Sequence, residues 1–164
     1  MRPPGMRAWS PMRSVEVLLI AMLSGCASHA FGADCAPLEF VGDGIPTPLS
    51  ADTPDPDRGR TIATATDRGD CTICHALPVN TPDPRFHGNL GPPLYGVGAR
   101  LDAAQLRARI ADPKRLDPHT VMPAYCSTNR RWRVARAQVG APILSAAEIE
   151  DLIAWLQTLD GATR

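Results

Sequence analysis

Within Cys71-Thr72-Ile73-Cys74-His75 two thiols stand three positions apart, followed directly by an imidazole. At that spacing both thiols fall on one turn of helix. Each can add to a vinyl group, and the histidine can then reach a metal from one side. This is the C-x-x-C-H pattern of covalent haem attachment. The other chemistry open to such a pair is disulfide exchange, in which the first thiol is a low-pKa nucleophile at a helix start. That reading expects a βαβ pattern around the motif, and the flanks show none. A zinc site would call for a second C-x-x-C pair, which does not follow.

A haem gripped by one histidine has a second axial position to fill. Met1, Met6, Met12 and Met22 all lie in the first 33 residues, so Met122 is the only methionine beyond them. It occupies Asp117-Pro118-His119-Thr120-Val121-Met122-Pro123, where prolines on both sides prevent a helix and favour a stiff loop that can hold sulfur over iron. A lone methionine otherwise fills an irregular gap in a core. His87 and His119 are the competing ligands. Either would give bis-histidine coordination and a lower reduction potential, because a thioether favours ferrous iron more than an imidazole does. Iron with two protein ligands has no open position for substrate, which points to outer-sphere electron transfer and away from oxygen binding or peroxidase chemistry.

The elements that must position these groups are short helices. Asp55 and Pro56 form the cap and first residue of a helix through Ile62 and Ala65 that ends near Gly69, just before the motif. Asp102 with Gln105 three positions on, flanked by Leu101 and Leu106, starts a second helix that Pro113 stops. Ser145 with Glu148 forms a capping box for the clearest helix, whose Ile149, Leu152, Ile153 and Leu156 line one face. That face is expected to pack on the first helix and wall the haem. Gly91-Pro92-Pro93-Leu94-Tyr95-Gly96-Val97-Gly98-Ala99-Arg100 predicts a turn-rich loop, one of whose carbonyls can accept from the free ring nitrogen of His75. No stretch alternates strongly enough to predict a sheet, so the fold class is all-α.

At 164 residues the chain has room for one such domain plus a leader, and its 17 prolines break it into short helices joined by loops. The formal net charge of zero removes the electrostatic case for a nucleic-acid partner. Charge is uneven, with an acidic stretch from Asp34 to Asp70 and a basic one from Arg100 to Arg136, which suggests a polar docking surface. Arg130, Arg131, Arg133 and Arg136 around Trp132 are expected to border it. Residues 1–33 combine arginines at 2, 7 and 13, an apolar run from Val15 to Leu23, and small residues, the layout of an export signal. That run is well short of the roughly 20 residues needed to span a bilayer. Two cleavage readings compete. Leu23-Ser24-Gly25-Cys26 resembles a lipobox that would lipidate Cys26, whereas Phe31-Gly32-Ala33 resembles an ordinary site before Asp34. Residues 34–54 are then an N-terminal extension and 55–160 the haem domain. The expected compartment is the periplasm, with membrane contact only through a lipid on Cys26.

Taken together, the motif, the glycine-proline loop and the methionine loop resemble class I cytochromes c. What the resemblance implies is one covalent haem c, with Pro92 offering the carbonyl to His75, Leu94 packing the haem and Arg100 approaching a propionate. The match is closer to the SoxX family of monohaem subunits of sulfur-oxidising bacteria. It rests on Gly69-Asp70-Cys71, Asn89-Leu90-Gly91-Pro92-Pro93-Leu94, Val121-Met122-Pro123-Ala124-Tyr125, and the tail from Ala141 through Leu152. In that family a dihaem or monohaem partner chain, SoxA, couples thiosulfate oxidatively to a carrier-protein cysteine. The resemblance therefore implies a chain with no catalytic residue of its own, which accepts the released electrons and relays them to a downstream cytochrome c. A freely diffusing electron-shuttle cytochrome c is the alternative. Cys126 departs from the family pattern, and with Cys35 it makes the only pair of thiols beyond the leader not used by haem. In an oxidising compartment these two are expected to form a disulfide fastening the N-terminal segment beside the Met122 loop, against the alternative of two buried free thiols.

Overall fold

The structure, a computed structural model, describes residues 35, 37–78, 87–127 and 139–161. Helix α1 (Pro56–Thr64) begins where the Asp55 carboxylate accepts from the backbone N–H groups of Asp57 and Arg58, at 2.9 and 3.3 Å. Pro56 takes the first helical position, where a missing N–H costs nothing. The helix closes at Thr64, with Ala65 in extended conformation as its cap. Helix α3 (Ala103–Ala111) and helix α4 (Ala146–Gln157) both start with complete capping boxes, Asp102 with Gln105 and Ser145 with Glu148. A 3-10 turn over Pro113–Arg115 follows α3, because proline cannot continue the ladder. The loop predicted over 91–100 holds one element beyond that expectation, a single-turn helix α2 (Val97–Arg100) entered through Gly96 at φ 61°. Among the described residues there is no strand, only one isolated bridge between Val41 and Gly44.

Helix α4 is the axis of the fold, packed against α1, α2 and α3. Its apolar face, Ile149, Leu152, Ile153 and Leu156, is buried with Ile62 and Ala63 of α1 and with Leu106, Ala108 and Ile110 of α3. At Gly59 the backbones of α1 and α4 nearly touch: a Cβ there would lie 2.0 Å from the Asp151 carbonyl oxygen, so no other residue fits without separating the helices. Two carboxylates on α4 then hold the segment leading into α1 and the start of α1 itself. Glu150 makes a bidentate pair with buried Arg107 at 2.7 and 2.8 Å and also accepts from the Leu49 N–H, while Arg107 donates to the Ile45 carbonyl. Asp151 accepts from the Asp55 N–H at 2.7 Å and from two nitrogens of Arg58. A charge pair desolvated to this degree survives only because further hydrogen bonds satisfy it.

Candidate functional site

The chain leaves α1 through a tight turn that aims the first thiol. Gly69 and Asp70 donate their N–H groups to the carbonyls of Ile62 and Ala65, at 3.1 and 3.2 Å. Asp70 has φ 40°, the only positive φ at a non-glycine among the described residues, in a region that aspartate tolerates better than most side chains. Its carboxylate accepts from the Thr72 hydroxyl at 2.9 Å. A 3-10 turn over Cys71–Ile73 follows, tightened by the His75 N–H donating to the Cys71 carbonyl at 2.9 Å. Cys71 and Cys74 are both free thiols on this turn. Burial, and after it the Asp70 carboxylate, pushes the Cys71 thiol up to about 11. An exchange nucleophile needs the opposite shift, toward thiolate at neutral pH.

His75 is oriented by backbone. Its Nδ1–H donates to the Pro92 carbonyl at 2.6 Å, which fixes the proton on that nitrogen and leaves the Nε2 lone pair for a metal. Segment 88–94 lies alongside the motif through backbone hydrogen bonds from Gly88 to Thr72, Gly91 to Cys74 and Leu94 to Ala76, at 2.7, 2.8 and 2.9 Å. Two glycines allow this close approach: a Cβ at Gly88 would stand 1.8 Å from the Ile73 carbonyl oxygen, and one at Gly91 2.3 Å from the His75 ring. Leu94 is half-buried against the core. Arg100 turns back on its own loop, donating to the carbonyls of Tyr95 and Pro93.

The loop carrying Met122 is held differently. The ammonium of Lys114 donates to the Thr120 carbonyl, and the Thr120 hydroxyl accepts from the Met122 N–H at 3.3 Å. Past the methionine, Tyr125 and Cys126 donate their N–H groups to Ile110 and Ala111 at the end of α3, each at 3.1 Å. Cys126 is joined to Cys35 in a disulfide with 5.6 Å between Cα atoms. The Tyr125 hydroxyl, pushed well above the usual phenol range by burial, donates to the Gly69 carbonyl at 2.9 Å. Met122 itself is half-buried and packs against the core. Of the competing histidines, His87 accepts from the Leu77 N–H through Nδ1 at 3.2 Å, and His119 is exposed. Residues 1–33 with Cys26, and the arginines at 130, 131, 133 and 136, lie outside the described residues.

Sequence reasoning named the thiols, His75, Pro92 and Met122, but gave no role to Lys114, to the Tyr125 hydroxyl or to the contact at Gly91. Lys114 carried a signal, being the only lysine among the 17 basic residues and lying eight positions before Met122. Tyr125 and Gly91 act through contacts across the fold that no spacing rule encodes.

These residues fit a c-type haem. Two thiols remain unpaired on one turn although the other two described cysteines are bonded, an imidazole presents Nε2, and the cradle beside it is one that a Cβ at position 91 would fill. Comparison with known proteins agrees. The family model for cytochrome c matches residues 56–160. One chain of the crystal structure of SoxXA from P. pantotrophus is similar at 34% sequence identity with a TM-score of 0.67, over 75% of this chain and 94% of that one. No curated protein matches. Among the described residues no helix is long and apolar enough to cross a membrane.

Proposed function

This chain belongs to the cytochrome c family and carries covalent haem c, and from that premise we propose that it is the SoxX-type electron-accepting subunit of a thiosulfate-oxidising complex. The observation that carries the finer reading is the likeness to SoxXA, which extends over nearly the whole of the related chain. When bound, the haem supplies a single-electron ferric/ferrous couple. The chain's own residues hold it. The sulfurs of Cys71 and Cys74 would tether it, and His75 Nε2, its ring fixed by the Pro92 carbonyl, and the Met122 thioether would ligate its iron. Leu94 would pack against it and Arg100 would serve a propionate. Exposed apolar side chains at Ile73, Leu90 and Val121, one from each segment that carries site residues, keep water away from the approach of a redox partner.

In this reading a SoxA-like haem chain performs the oxidative coupling of thiosulfate to a carrier-protein cysteine. The present chain takes the released electrons and hands them to a downstream cytochrome c. Residues 1–33 export it to the periplasm, 34–54 form the extension gripped by α4, and 55–160 form the haem domain. The test is expression with c-type maturation, followed by haem staining on a denaturing gel, optical and magnetic spectra, and pull-down from the native host. Expected are covalent haem, low-spin His/Met iron and co-purification with a larger haem chain. A colourless protein removes the haem reading. A haem protein that purifies alone is instead a free carrier.

A further inference from the structure

We propose that Tyr125 is a positioning residue that couples the loop bearing the sixth haem ligand to the turn that delivers the thiols. The proposal rests on the reading of Met122 as that ligand and adds to it. Tyr125 stands three residues after Met122, and its side chain crosses the site to reach the carbonyl of Gly69, two residues before Cys71. The groups it joins are 56 positions apart in sequence: one segment carries the two thiols and His75, the other Met122.

The Gly69–Asp70 turn has four backbone groups to satisfy. The two N–H groups are taken by the end of α1, the Asp70 carbonyl accepts from the Ile73 N–H, and the Gly69 carbonyl is taken by the Tyr125 hydroxyl. Asp70 at φ 40° is a strained position, so the turn keeps its shape only if its surroundings hold it there. Tyr125 can act as the strut because its own backbone is fixed on both sides: its N–H donates to Ile110, and its carbonyl accepts from both Ile143 and Leu144, at 2.9 and 3.1 Å. Its side chain is only 8% exposed. Phenylalanine would fill the same space but leave the buried Gly69 carbonyl without its donor.

The experiment uses the full haem-loaded chain. Wild type and Tyr125→Phe are titrated in the ferric state with imidazole, following loss of the far-red absorption of thioether–iron ligation. Tyr125→Phe should bind imidazole roughly tenfold tighter, because the thioether is no longer held in register with the attachment turn. Ile45→Val, a core change in the N-terminal segment whose backbone bonds to Ala104 and Arg107 on α3, controls for general loosening. The proposal is overturned if Tyr125→Phe titrates like wild type, or if Ile45→Val shifts imidazole affinity as far. Wild type without the thioether absorption overturns the Met122 reading itself, and this proposal with it.

Discussion

Three backbone hydrogen bonds lay segment 88–94 against the attachment turn and present the Pro92 carbonyl to His75, whereas the Met122 loop is closed by side chains: an ammonium, a hydroxyl, a phenol and a disulfide. The histidine side is thus written in the main chain, which any residue of suitable backbone preference can supply. The methionine side is written in side-chain chemistry, which single substitutions can erase. The first arrangement suits a ligand that must stay put through covalent attachment. The second leaves the placement of the Met122 sulfur open to tuning.

The largest expected effect comes from replacing both Cys35 and Cys126 with serine. Opening a bridge that spans 91 positions should lower stability by about 2–5 kcal/mol in denaturant unfolding. Thioether absorption should then vanish at lower denaturant than the histidine-ligated spectrum; simultaneous loss would erase the contrast between the two sides. Next comes Gly91→Ala, a side-chain change to which the histidine side should be sensitive because the main chain there leaves no room for a Cβ. Forcing a methyl against the imidazole should cost about 1–3 kcal/mol and reduce the yield of haem-loaded protein. Lys114→Met should cost about 1 kcal/mol and make the reduction potential more negative by weakening thioether ligation. An unchanged potential would mean that the ammonium does not hold the loop. Smallest is Pro92→Ala, which keeps the carbonyl and should stay within about 0.5 kcal/mol of wild type, with an unaltered spectrum. A large loss there would show that the ring of Pro92, and not its carbonyl, orients His75.

Local chemistry made much of this legible in advance. The Asp102–Gln105 and Ser145–Glu148 boxes and the Asp55–Pro56 start are decided within one helical turn, and all three helices begin where those residues place them. The attachment motif is equally local, since its meaning lies in five consecutive residues. The short helix over Val97–Arg100 escaped because four residues between glycines carry no periodicity to read. The Arg107–Glu150 pair escaped for another reason. Arginine on a surface-patterned helix predicts a solvated charge, and only the approach of the N-terminal segment and α4 buries it. Sequence pattern also says nothing of which carbonyl receives the hydroxyl of Tyr125, because that is set by how α1 and the 120s loop meet.

The grip of α4 on the first segment also fixes an order of events. Leu49 and Asp55 donate to carboxylates that lie 101 and 96 positions later in the chain. A polypeptide that emerges amino end first therefore presents both thiols before the groups that lock its beginning, and contacts of such long range form late. Only the arrival of the last helix secures the first segment.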